Sequence, residues 1–191
     1  MIKDIWLGAI FSIKALSAIS QEDSSVKQLD EVVVTAQRYA QKIFVAPYSV
    51  NRVSRNQLEH YFPRTTPEAL MGVNGVFVQK TNHGGGSPFL RGLTGNQTLI
   101  LIDGIRLNNS TFRYGPNQYF NTIDPFSING IEVVKGSGSV QYGTDALGGV
   151  LQVFTKEPEF KDSTNWSGRA MGKYMSGDME KTVRGEAAYS S

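Results

Sequence analysis

The unbroken apolar run Leu99-Ile100-Leu101-Ile102 meets the pair Asp103-Gly104 and continues as Ile105-Arg106-Leu107. A short apolar run closed by turn residues predicts a strand buried on both faces. Asp-Gly tolerates the positive φ values of a type I′ turn, so the whole segment predicts a hairpin. Ile131-Glu132-Val133-Val134-Lys135 and Gly148 to Thr155 predict two further strands, separated by the glycine-rich bend Gly136 to Gly143. Tyr48 to Val53 alternates like a strand exposed on one face, and Gly75 to Thr81 reads as another strand. Arg55 to Tyr61 predicts a short helix. Thr66 to Met71 predicts a second, with Thr66 as N-cap, Pro67 first in the helix and Glu68 as the favourable first-turn acid, ended by Asn74-Gly75. Helices and short strands alternate without a long crossover helix, which predicts an α+β fold around a small mixed sheet.

Two loops interrupt that pattern. The first is Asn82-His83-Gly84-Gly85-Gly86-Ser87; the second, Asn109 to Asn121, contains Phe112, Arg113, Tyr114, Asn117, Gln118, Tyr119 and Phe120. A long aromatic loop is more often functional than filler, and rings beside Arg, Asn and Gln make a surface for a planar or polar ligand. Phe112 and Phe120 are expected to pin the loop to the core, leaving Arg113 and Tyr114 for ligand contact.

After Lys156-Glu157-Pro158 the period changes to two. Trp166, Gly168, Ala170, Gly172 and Tyr174 alternate with Ser167, Arg169, Met171 and Lys173; Val183, Gly185, Ala187 and Tyr189 alternate with Arg184, Glu186 and Ala188, and Ser176-Gly177-Asp178 lies between as a turn. One apolar face with aromatics at its ends and one charged face is the pattern of a membrane β-strand pair. An ordinary surface hairpin carries a similar pattern.

Four blocks in this order and spacing, Phe89 to Gly92, Leu99 to Leu107, Ile131 to Gly136 and Tyr142 to Thr155, resemble the plug domain of TonB-dependent outer-membrane receptors across roughly residues 30 to 157. The resemblance implies a small mixed-sheet plug with short helices, followed by the first antiparallel strands of a transmembrane β-barrel. It implies that Asp30, Glu31, Val32, Val33, Val34, Thr35 and Ala36 form a TonB box, which pairs with a TonB-type energy-coupling protein as an added strand. The other reading of Leu29 to Ala36 is the first strand of the domain itself. Arg91 and Lys135 take the places of the cations that face barrel-wall carboxylates in the family, or else make local salt bridges. Lys135 departs from the commoner arginine and loses bidentate geometry; Ser137-Gly138 departs from the expected proline-containing bend. His83, Gln97, Arg113, Tyr114, Asn117 and Gln118 are the expected ligand contacts. The implied cargo is a ferric siderophore or haem, with cobalamin and oligosaccharide behind; a soluble periplasmic interaction module is the alternative from another class.

The implied organisation is a signal peptide at 1–20, a leader at 21–41 containing the box at 30–36, a plug at 42–157 and the first barrel strands at 158–191. Ile5 to Ile13 forms the apolar stretch of the signal peptide and Ala18-Ile19-Ser20 precedes cleavage, although Asp4 and Lys14 interrupt the pattern and a short buried or interfacial helix is the other reading. The run falls short of the about 20 residues a spanning helix needs. A plugged barrel of this type has about 22 strands of about 10 residues, so 191 residues are expected to be an N-terminal fragment or truncated product.

Composition narrows the chemistry further. A net charge of +2 with scattered cations argues against nucleic acid. The absence of cysteine removes thiol chemistry and disulfide scaffolds. Gly136-Ser137-Gly138 lacks the third glycine of a dinucleotide loop, which Gln141 replaces, and no lysine follows in Walker spacing. His60 and His83 lie far apart, so no protein metal site or cofactor is expected, although His83 could reach a haem iron as a ligand contact. No serine belongs to a recognisable His and acid constellation, and no enzymatic activity is expected.

Overall fold

The computed structural model describes residues 32–33, 41–42, 47–82, 84–157, 164–177 and 180–190. The expected signal peptide, most of the expected box and His83 lie outside them. In chain order the strands are β1 (Val32–Val33), β2 (Gln41–Lys42), β3 (Ser49–Ser54), β4 (Val76–Asn82), β5 (Gly85–Leu90), β6 (Thr98–Ile102), β7 (Ile105–Arg106), β8 (Ile128–Lys135), β9 (Gly149–Thr155), β10 (Asn165–Met175) and β11 (Glu180–Ser190). The helices are α1 (Arg55–Tyr61) and α2 (Ser139–Tyr142), with 3-10 turns between them.

The central sheet has the order β3-β8-β9-β6-β7, with β6 and β9 parallel and the other pairs antiparallel. Register explains the apolar runs. Val53, Ile131, Val133, Leu151, Val153 and Ile100 point to one face and join Leu58, Leu70, Leu90 and Phe120 in the main core. Val50, Val134, Val150, Leu99 and Leu101 point to the other face and pack with Ala146, Tyr48 and Tyr142. A sheet covered on both sides cannot show period-two alternation, so its strands read as continuous hydrophobics. The expected hairpin forms: Asp103 (φ 47) and Gly104 (φ 82) both occupy the left-handed region between β6 and β7.

Three local expectations are corrected. β3 is not exposed on one face; Val50 and Val53 are buried on opposite faces, because the strand runs along a sheet with a core on each side. Thr66 is not an N-cap. Thr65 holds that place without a side-chain cap, and Thr66 is buried with its hydroxyl donating to the Ile123 carbonyl. The glycine stretch from residue 82 to 87 is mostly not a loop: Gly85–Leu90 is a strand pairing with β4. Side chains were excluded there by packing, since a Cβ on Gly86 would lie 2.9 Å from Pro67 Cβ. The helix at Arg55–Tyr61 forms as expected, closed by a capping box in which Ser54 N donates to Gln57 Oε1 at 2.8 Å.

Candidate functional site: a pinned loop, a cation pair and a docked hairpin

The second loop is held at several points before it offers anything outward. β7 is only two residues long, so β6 lacks a ladder partner over much of its edge. Asn108 supplies one: its Oδ1 accepts from Ile100 N at 2.9 Å and its Nδ2 donates to Thr98 O at 3.1 Å. Phe120 and Phe112 are buried as expected, and the Phe112 ring stacks on Tyr119 at 4.4 Å. Gly95 (φ 65) comes so close to the loop that a Cβ would sit 2.5 Å from Gly115 O. Ser87 Oγ donates to Asn117 O at 2.6 Å and accepts from Asn117 N at 2.8 Å.

The expected contact residues separate accordingly. Arg113 and Tyr114 project outward, Tyr114 with 82% of its surface exposed. Gln118 is also exposed, on the segment beside Gly85. Gln97 is half-buried in the turn that begins at Gly95, and its carbonyl accepts from Gly148 N at 2.8 Å. Asn117 stands apart because it is buried and its backbone is engaged by Ser87. Sequence reasoning missed Ser87 and Gly95; the one signal was a small polar residue before a proline inside an apolar neighbourhood.

Arg91 and Lys135 meet at one end of the sheet. Arg91 is exposed in the left-handed region (φ 52), and its Nη1 lies 3.3 Å from where a Cβ on Gly136 would be. Lys135 Nζ donates to Asn74 O at 2.9 Å while its stem packs on Gly75. Neither cation is sealed in the core.

β10 and β11 pair in register from Asn165↔Ser190 to Met175↔Glu180 and lay their charged face on the domain. Arg169 binds Glu59 at 2.8 Å, and Glu59 also receives Arg55 at 2.9 Å. Lys173 bonds the Phe62 carbonyl and lies 3.1 Å from Glu180. Lys156 binds Glu186 at 3.0 Å, and Arg184 joins Glu186 at 2.9 Å, pairs with Asp124 and lies 5.2 Å over the Phe126 ring. The hydrogen bonds from Arg169 and then Arg55 hold the Glu59 carboxyl down at about 2. Burial pushes the Glu68 carboxyl up, but the hydrogen bonds from Lys80 and from Arg64 N outweigh it and leave it lowered. The opposite face exposes Trp166, Tyr174, Val183 and Tyr189, with Trp166 and Tyr189 paired at 4.9 Å.

A mixed sheet with two covered faces, a cation pair at its end and a strand pair docked by charge is the architecture of a barrel plug. The model of the TonB-dependent receptor plug domain matches residues 42–150. An iron-regulated outer membrane virulence protein of Vibrio cholerae is 39% identical over 171 residues, covering 86% of this chain and 24% of the relative. The vitamin B12 transporter BtuB of Vibrio vulnificus is 33% identical over 141 residues, covering 73% and 23%. Among solved structures, FauA, the alcaligin outer-membrane receptor of Bordetella pertussis, matches with a TM-score of 0.58 at 21% identity, covering 83% of this chain and 26% of that one. FpvA of P. aeruginosa bound to heterologous pyoverdines matches with a TM-score of 0.58 at 19% identity, covering 75% and 18%. The chain belongs to the TonB-dependent receptor plug domain family, whose receptors reside in the outer membrane. It spans about a quarter of the length of the curated relatives it matches.

Proposed function

We propose that this chain is the plug and the first two barrel strands of an outer-membrane active transporter, and that its cargo is an anionic iron chelate or haem. The observation that carries the cargo is the charge of the ligand-facing side. Between Thr81 and Ile123 the sequence has no carboxylate other than Asp103, which sits at the far end of β6 and accepts from Thr155 N at 2.8 Å and Thr155 Oγ1 at 2.6 Å. The remaining face offers Arg113, Tyr114, Gln97 and Gln118, with His83 beside it in sequence. A cation next to an exposed ring, in a segment whose one acid is engaged by Thr155, favours a negatively charged, oxygen-rich or planar ligand over neutral cobalamin or oligosaccharide.

Asp30 to Ala36 serves as the box for a TonB-type protein; the pairing of Val32 and Val33 with Lys42 and Gln41 supports an extended strand there. Arg91 and Lys135 then face carboxylates of the wall. Trp166 and Tyr174 stand eight residues apart on the exposed face of β10, about 27 Å along a strand, which suits the two aromatic girdles of a bilayer-spanning strand. That exposed apolar face argues against the soluble periplasmic module. A plug held by polar contacts and water is displaced with modest work, whereas a large apolar interface would lock it.

The test is deletion of the gene followed by uptake of a ferric catecholate chelate, haem and cyanocobalamin, each with and without the restored gene. Loss of one iron form with cobalamin uptake intact is the expected result. Unchanged uptake of every iron form overturns the iron assignment.

A further inference from the structure

β5 touches both the ligand-facing loop and the cation pair, and its sequence, Gly85-Gly86-Ser87-Pro88-Phe89-Leu90, is unlike that of an ordinary strand. Ser87 is polar yet only 4% exposed. Its hydroxyl accounts for this by bonding both backbone groups of Asn117, one as donor and one as acceptor, so that it stands in for a strand's main chain. On the neighbouring residue, Gly86 O accepts from Asn121 Nδ2 at 3.2 Å. Two consecutive residues of β5 thus hold both ends of the segment 117–121.

The same strand then holds the turn beneath the loop, because Pro88 O accepts from Thr94 Oγ1 at 2.7 Å just before Gly95. Pro88 also fixes φ and stiffens the strand. At the end of β5, Leu90 is wholly buried and bonds Leu93 in both directions, at 2.8 and 2.9 Å. That tight turn forces Arg91 and Gly92 into the left-handed region and lays Arg91 over Gly136. Ser87 to Arg91 is four residues, about 13 Å of strand.

We propose that β5 is the lever joining the ligand-facing loop to the cation pair, with Ser87 as the positioning residue through which displacement of Arg113 to Gly115 reaches the Arg91–Gly136 contact. The inference rests on the transport reading for the role of the loop. Its physical content is a coupling between two sites, and coupling is reciprocal: loosening either end must loosen the other.

Hydrogen exchange on the full chain in detergent tests this without ligand, so its outcome is separate from that of the uptake experiment. Ser87→Ala is expected to raise exchange of the hydrogen-bonded loop amides Phe112 and Asn121 and also of Arg91 and Gly136, by roughly 3- to 10-fold, the size expected for loss of a neutral hydrogen bond. Arg91→Ala, an exposed change that leaves the core intact, is expected to raise exchange of Phe112 and Asn121 reciprocally. Asn117→Ala keeps the backbone groups that Ser87 binds and should leave Arg91 and Gly136 unchanged. Ile131, Val133, Leu151 and Val153 serve as internal references. The proposal is overturned if Ser87→Ala acts on the loop alone, if Arg91→Ala leaves the loop unchanged, or if the references rise with the rest. Should Ser87→Ala fail to fold, the Arg91→Ala arm decides.

Discussion

Gly95 shows how one residue without a side chain sets the outline of the surface that carries Arg113 and Tyr114. It needs a left-handed backbone, and it needs the empty space that lets Gly115 approach. Gly95→Ala therefore incurs about 1–2 kcal/mol for the backbone alone, and the added methyl must push the 113–115 stretch away. Lower thermal stability together with weakened cell-surface binding of the cargo is the expected outcome; an unchanged melting temperature would contradict the close approach. Thr66 illustrates the converse. Its hydroxyl could serve as a cap or as a core contact, and local sequence does not distinguish these. The Ile123 carbonyl, distant in sequence, decides for the core.

Elements differed in how legible they were for one physical reason. β6, β8 and β9 are wrapped in their own fold's cores, so they announce themselves by continuous apolarity, and the β10–β11 pair announces itself by alternation because its two faces meet different surroundings. β5 did neither. Its glycines exist for the backbone of neighbouring segments, a demand that tertiary contacts impose. The docked face of β10–β11 also carries an acid-sensitive contact. Glu59 is held at about 2 against an ordinary 4.5, so its contribution is fully present above about 4.5 and is lost as the pH falls toward about 2. The pair is more than a third exposed, and its contribution is accordingly small and screened by salt. Exchange of β10 amides, followed from neutral pH downward at low and high salt, should rise in that window beyond the intrinsic acid dependence. Glu59→Gln should remove the additional rise, and a pH profile identical to the parent would argue against the contact.

At the scale of the whole molecule, the transport reading proposed above ties the plug to the segment at Asp30 to Ala36. A domain that is to be moved has few apolar contacts to its wall, and a segment that is to be pulled transmits load through backbone hydrogen bonds rather than a large side-chain interface. Val33→Pro removes one backbone donor from the proposed box and opposes strand addition. Energised uptake is expected to stop while binding of cargo at the cell surface persists; uptake at the parental rate would rule out strand addition at this segment. An iron-regulated outer membrane relative and a vitamin B12 relative each match most of this chain.

By itself the sequence determined the mixed sheet, the type I′ hairpin at Asp103-Gly104, the two faces of the terminal strand pair and the family, because each is encoded by short-range periodicity, turn chemistry or ordered motifs. Tertiary structure alone decided that the glycine stretch is a strand, that Asn117 is a strut rather than an exposed contact, and that Arg91 lies against Gly136. Those outcomes depend on which distant backbone arrives at a given residue, and no local pattern of side chains carries that information.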